Sequence, residues 1–143
     1  MAIEIRTFTN QDYPKARRLW EETEGVGLSD ADSREGIALF LNRNPGLSFV
    51  AVERDRVIGT ILVGHDGRRG HIHHLAVHAQ SRKLGLARQL VRAGLGKLAE
   101  AGIQKCHLLV FQQNESGQEF WRAVGAEQRP ALALYSLAVP STQ

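Results

Sequence analysis

His71-Ile72-His73-His74-Leu75-Ala76-Val77, followed by His78-Ala79-Gln80-Ser81-Arg82-Lys83-Leu84-Gly85-Leu86-Ala87, decides how this chain folds. The first seven residues read as a strand, the next eight as a short basic loop, and Leu86 opens an amphipathic helix. The first backbone N–H groups of a helix have no intrahelical partner, and the macrodipole makes that end electropositive. Gly85 has no side chain to keep an anion away from the backbone, and Ala87 keeps the following turn open. Arg82, Lys83, Arg88 and Arg92 add positive charge around the same point. A strand, a loop and a helix start of this composition form a place to hold phosphate.

The helix continues the pattern. Leu86, Leu90, Val91, Leu95 and Leu98 recur at three- and four-residue steps, which buries one face, and Gly102 after Ala101 supplies the left-handed stop. The dinucleotide fingerprint G-x-G-x-x-G and the phosphate loop G-x-x-x-x-G-K-[ST] are both missing, which argues against nucleotide-dependent dehydrogenases and P-loop NTPases.

At 143 residues the chain, 1–143, is expected to be one domain with a single core. No apolar run approaches the roughly 20 residues that span a bilayer. MAIEIRTFT lacks an apolar signal region and Cys106 stands alone, so the expected location is cytoplasmic, with no membrane partner. Cys106 lies in an apolar run with no evident base and reads as packing. The net charge of +3 rests on 14 Arg and 4 Lys against 15 acidic residues, a balance that raises nucleic acid as a partner. Outside 82–92, however, the basic residues are scattered. RNA-binding aromatic patterns, helix-turn-helix signatures and basic tails are absent, so no nucleic-acid partner is read.

Further out, Ile3–Thr7 alternates as a first strand. A helix starts around Asn10 to Asp12 and buries Tyr13, Ala16 and Trp20; a second runs from about Ser33 to Asn42, with Ile37, Phe40 and Leu41 inward. Short polar turns join strands at Ser48–Glu53, Val57–Val63 and Gly70–Val77 into an antiparallel meander. A strand over Lys105–Phe111 follows the long helix, then a short helix from Glu115 to Val124 that stops at Gly125, and Ala131–Val139 reads as a closing strand. The predicted fold class is α/β, a mixed sheet with helices on both faces in the order β-α-α-β-β-β-α-β-α-β.

In this order of elements the chain resembles the GCN5-related N-acetyltransferase (GNAT) family, from Ile3 to about Val139. The family motif [QR]-x-x-G-x-[GA] is met by Arg82-Lys83-Leu84-Gly85-Leu86-Ala87. A second family pattern, an Asn, an aromatic pair and then Gly, is met by Asn114, Phe120-Trp121 and Gly125. The resemblance implies acetyl-CoA as acetyl donor. The backbone of Arg82 to Arg88 would hold its pyrophosphate, and Leu75, Ala76 and Val77 would line a gap where the fourth strand splays from the fifth. The N–H near Val77 would polarise the thioester carbonyl. Asn114 would bond near the pantetheine, with Phe120 and Trp121 walling the channel or simply packing the short helix.

An alkylammonium must lose a proton before it attacks a thioester. Where many relatives carry a strand Glu for this, the matching residue here is His73, either the catalytic base or only a polar residue facing the cleft. His71 and His73 share a metal-like spacing, with His65 or His107 as further candidates, but nothing selects a third ligand and no metal is assigned. Alternation sends His74 to the opposite face. Where many relatives place a Tyr acid, this chain has Trp121, whose indole releases no proton at useful pH. Tyr135 on the closing strand is the better of the two phenols, Tyr13 being the other, and water is the remaining alternative.

Glu21, Glu22, Glu24, Asp30 and Asp32 lie around the loop between the first two helices, either to attract a cationic amine or as caps and solvated surface. The resemblance implies N-acetyl transfer to a primary amine of a small molecule, or to a peptide N-terminus or lysine, by direct attack in a ternary complex. The alternative is a CoA-holding protein of the same fold with little transferase activity. A homodimer is compatible with either.

Overall fold

Residues 49–77 alternate between two apolar surfaces, and in the computed structural model, which describes residues 2–142, they form the antiparallel centre of a sheet. Strands β2 (Phe49–Glu53), β3 (Arg56–His65) and β4 (Gly70–Val77) follow one another, with β1 (Glu4–Thr7) on the outer edge of β2. β5 (Cys106–Leu108) joins β4 in parallel, giving the order β1-β2-β3-β4-β5. Parallel pairing needs a long crossover, and helix α3 (Leu86–Glu100) supplies it. Residues 1 and 143, the outer limits of the single domain expected from sequence, lie outside the described residues.

Both faces of the sheet are covered. Ile61, Val63, Ile72 and Val77 pack with Leu86, Leu90 and Leu98 of α3. Gly94 allows the close approach: a Cβ there would lie 2.8 Å from a Val63 methyl. On the other face α1 (Tyr13–Glu22) and α2 (Arg34–Arg43) bring Ala16, Leu19, Trp20 and Ile37 onto Val50, Leu62 and Ala76. A 3₁₀ turn over Asn10–Asp12 precedes α1, and its Asp12 is pinned by a two-point pair with Arg6, at 2.8 and 2.9 Å. No helix among the described residues is long and apolar enough to cross a membrane.

The regular ladder breaks at one place that matters. Thr60 faces Ala76 while Leu62 faces His73, so two residues of β3 span three of β4. The extra residue is taken up beside His74, whose φ of +48° is rare for a side chain with a Cβ. This overturns the expectation that His74 points away from His73. The bulge resets the alternation, so the His74 ring stands 4.7 Å from that of Trp20 on α1, while His73 meets Phe40 of α2 at 5.9 Å. Both rings lie on the α1/α2 side.

Two further expectations are corrected. The strand read over Lys105–Phe111 pairs only through Leu108, because β4 turns away at its bulge and offers no edge beyond Ile72. The closing strand over Ala131–Val139 is not formed: these residues have no ladder partner, and the order among the described residues ends at α4 (Glu115–Ala123). An apolar alternating segment becomes a strand only where an edge meets its hydrogen bonds. Tyr135, expected on that strand near the cleft, is 89% exposed.

Candidate active site

Where β4 and β5 part, a cleft of about 870 Å³ opens, within the range of pockets for coenzyme-sized ligands. One wall is the C-terminal end of β4, Leu75, Ala76 and Val77. The floor is the loop and first turn from Ser81 to Arg88, and the far wall is Phe111 to Gly117 with Phe120 and Trp121.

The α3 end of the cleft has the geometry of an anion cradle. Gly85 is the N-cap residue at φ +75°, a left-handed conformation natural to glycine, and Lys83, two residues before it, also has positive φ. No side chain caps the helix, so the amides of Leu86, Ala87 and Arg88 are free to meet a ligand, and nothing lies within 4 Å of a Cβ built on Gly85. Arg82 is folded back, its Nε donating to the Val77 carbonyl at 3.2 Å. Loop and strand end are thereby tied together beside the cradle. A diphosphate fits this set of donors and charges.

Val77 occupies the other decisive place. His78 N–H donates to the Ile58 carbonyl at 2.8 Å, so by alternation His78 faces β3 and the Val77 N–H and C=O face the gap toward β5. An unpaired amide aimed into a cleft can stabilise charge developing on a carbonyl oxygen.

Behind the bulge runs a buried polar chain. Trp20 Nε1–H donates to Thr60 Oγ1 at 2.9 Å, and the Thr60 hydroxyl donates to the His74 carbonyl at 2.8 Å. His74 Nε2 donates to the Asp32 carboxylate at 2.7 Å, since a carboxylate only accepts. Asp32 also accepts the Ser29 N–H at 2.9 Å, and its carbonyl takes the Tyr13 hydroxyl at 2.6 Å. The loop between α1 and α2 is thus bound to the strand irregularity that opens the cleft. Sequence reasoning missed this chain because its members lie far apart, and period-2 alternation hid His74.

All the residues read as cofactor-binding line the cleft except Leu84, which is exposed outside it. Asn114 caps α4, its Oδ1 accepting the Gly117 N–H at 3.0 Å, and its amide nitrogen faces Gly25 of the α1–α2 loop. Phe120 and Trp121 both wall the cleft and pack against the α3 side of the core, so their two readings hold together. Thr23, Gly25, Phe111 and Gln113 also line the cleft, and no pattern in the sequence marks them for it. Glu24 is the member of the acidic loop set that reaches the cleft; Asp32 is engaged as described, and Glu21 pairs with Arg17 at 3.0 Å.

His73 stands apart from the cleft lining, on the α2 side. Partial desolvation there, then the neighbouring His74 and His71, push its pKa below the ordinary 6.5, with Asp32 opposing. His71 stacks near His73 at 6.4 Å and lies 6.3 Å from His107, ring to ring. Among the described residues no three His, Cys, Asp or Glu side chains converge as a metal site. Burial pushes the Cys106 thiol up, away from reactivity.

The comparisons with known proteins bear on family and fold. The model of the acetyltransferase (GNAT) family matches residues 10–126. An acetyltransferase of Pectobacterium atrosepticum is 32% identical over 114 residues, covering 80% of each chain. Among solved structures, the PaiA N-acetyltransferase of Thermoplasma acidophilum in complex with coenzyme A superposes with a TM-score of 0.73 at 22% identity, covering 87% of this chain and 89% of that one. The aminoglycoside acetyltransferase AAC(6')-Iy, in complex with a bisubstrate analogue, gives 0.75 at 19%, covering 97% and 100%. With its cradle at the start of α3, its parted strands and a family match over most of its length, this chain belongs to the GNAT acetyltransferase family.

Proposed function

We propose that the protein moves the acetyl group of acetyl-CoA to a primary amine, of a small molecule or of a peptide N-terminus or lysine, by direct attack within a ternary complex. The observation that carries this reading is the continuity of the cleft, from the uncapped amides of α3 to the Val77 N–H. Acetyl-CoA is the family's acetyl donor, and when bound it supplies an activated thioester. The α3 amides and Arg88 hold its diphosphate, Phe120 and Trp121 flank the channel, and Val77 N–H meets the carbonyl oxygen as it gains charge. The acceptor amine enters from the α1–α2 side, where Glu24 at the mouth favours a cation. The neighbour bound to an acetylneamine analogue supports an amine as acceptor class. In this reading the protein works in the cytoplasm.

His73 is the base we assign, acting directly or through water. The sign of its effect follows from its state: only the neutral imidazole accepts a proton, so protonation as pH falls disables it. With its pKa pushed below 6.5, the acid limb of kcat/KM is expected below pH 6.5 in the wild type and absent in His73→Ala. An identical profile in the two proteins would remove His73 from the mechanism.

The test of the whole reading is thiol release from acetyl-CoA across a panel of aminoglycosides, polyamines and short peptides. Turnover with at least one amine class is expected. Binding of acetyl-CoA without turnover on any amine would replace the reading with a second one, a CoA-holding protein. Trp121 favours that second reading, because no phenol takes its place. Tyr13 donates to Asp32 and Tyr135 is exposed, and neither lines the cleft. Under the leading reading water protonates the departing thiolate, which is a tolerable leaving group. Trp121→Tyr is then expected to change the rate less than tenfold. Turnover confined to the variant would establish the CoA-holding reading for the native chain.

A further inference from the structure

The sheet face on the α2 side is covered only in part. Gly64 lets Phe40 and Asn44 settle on it, since a Cβ there would meet them at 2.9 and 2.7 Å. His71 is the cross-strand partner of Gly64, and His107 is the partner of His71, so all three belong to the same face. Phe40 reaches His73 on this face, but His71 beyond it is exposed and His107 is half-buried. A row of imidazoles therefore leads from solvent to the bulge where β4 and β5 part.

The far end of that row is basic. The hairpin ladder continues to Arg69, whose carbonyl accepts the Asp66 N–H at 3.3 Å, and Gly70 N–H donates to the Lys105 carbonyl at 2.9 Å. Alternation then puts Arg69 in line with His71 and His73, and Lys105 in line with His107. Neither cation has an ion-pair partner among the described residues. Asp66, in the hairpin, is engaged there: its Oδ1 accepts the N–H groups of Arg68 and Arg69 at 2.8 and 2.9 Å. Acids gather instead toward the cleft mouth, where Glu21 and Glu22 close α1 and Glu24 lines the opening.

We propose that the acceptor is a peptide N-terminus whose chain runs along this face, with acidic side chains at its third and fifth residues. This rests on the transferase reading and names the substrate of the same site. Strand residues advance about 3.3 Å each, so from His73 the level of His71 lies about 7 Å away and that of Arg69 about 13 Å. An extended peptide advances by nearly the same step, up to ~3.6 Å per residue. With its amine at His73, its third residue comes level with His71 and His107, whose ring N–H groups donate to a carboxylate. Its fifth comes level with Arg69 and Lys105, where charge-assisted bonds form. The acids at the cleft mouth draw the ammonium inward and turn the acidic part of the chain toward the basic end.

Thiol release from acetyl-CoA is to be measured with three short peptides that share a free N-terminal alanine and carry glutamate, glutamine or arginine at positions three and five. The glutamate peptide is expected to exceed the glutamine peptide about fivefold in kcat/KM, and the arginine peptide about twentyfold, chiefly through KM. Salt screens exposed pairs, so about 0.5 M sodium chloride is expected to bring the three within about twofold of one another. The double variant Arg69→Glu/Lys105→Glu is expected to reverse the order, with arginine above glutamate. Damage to the fold would lower all three together and leave the order as it was. Lys105→Gln alone is expected to lower the glutamate preference about twofold. Equal rates at low salt, a wild-type preference for arginine, or a glutamate preference that survives the double variant would overturn the proposal. Turnover of an aminoglycoside or polyamine but of no peptide would also overturn it, with acetyl transfer left standing. No turnover of any amine would remove the transferase reading and this inference with it.

Discussion

Ala87→Glu is expected to weaken acetyl-CoA binding by a few hundredfold while leaving the fold as stable as before, or slightly more so. Ala87 is the second residue of α3 and lines the cleft at the cradle. A carboxylate there sits about 5 Å from a bound phosphate, and at an effective dielectric near 20 the repulsion is about 3 kcal/mol per charge pair. It also engages the α3 amides itself and takes them from the ligand. For the helix alone the same change is favourable, because acidic groups in the first turn complement the macrodipole by about 0.3–1 kcal/mol. Opposite signs separate a site effect from a folding effect. Calorimetric titration with coenzyme A and a thermal melt on one sample read both, and Ala87→Gln, uncharged but of similar bulk, isolates charge from size. Wild-type affinity in Ala87→Glu would move the diphosphate elsewhere.

That cradle was legible in sequence because it depends on residues adjacent in the chain. Gly85 must be small and left-handed, Ala87 must be small, and the helix must begin between them; each requirement leaves its mark at a fixed position. The strands were legible for a similar reason, since burial on both faces writes near-continuous apolar runs, cut by short polar turns, into Phe49–Val77. What escaped depends on distant partners. His74 departs from period 2 because Thr60, Trp20 and Asp32, from three other elements, hold it where it is. A local rule carries no information about such a chain. Residues 131–139 show the converse. Their pattern is that of a strand, but being a strand also requires an edge, and no pattern says which edge.

Thr60→Val is the substitution that tests whether the bulge and the site are one construction. Valine matches threonine in shape, so packing at this fully buried position is kept and only the hydroxyl is lost. The loss leaves two buried groups without partners, the Trp20 indole N–H and the His74 carbonyl. Each orphaned group costs about 1–3 kcal/mol, so a destabilisation of about 2–4 kcal/mol is expected. For a chain of this length that is a fall of about 8–15 °C in Tm. A second effect separates this variant from ordinary core damage. Without the Thr60 hydroxyl, the His74 carbonyl loses its bond at the left-handed turn, and β4 is free to relax toward a regular ladder that narrows its gap from β5. Coenzyme A affinity of the folded protein is therefore expected to fall about tenfold. Leu90→Ala, a cavity on the opposite side of the sheet, is expected to cost a similar 2–5 kcal/mol with affinity unchanged. Equal affinities in the two variants would show that the cleft stays open without the chain from Trp20 to His74; unequal ones would tie the width of the acetyl site to a hydroxyl on the neighbouring strand.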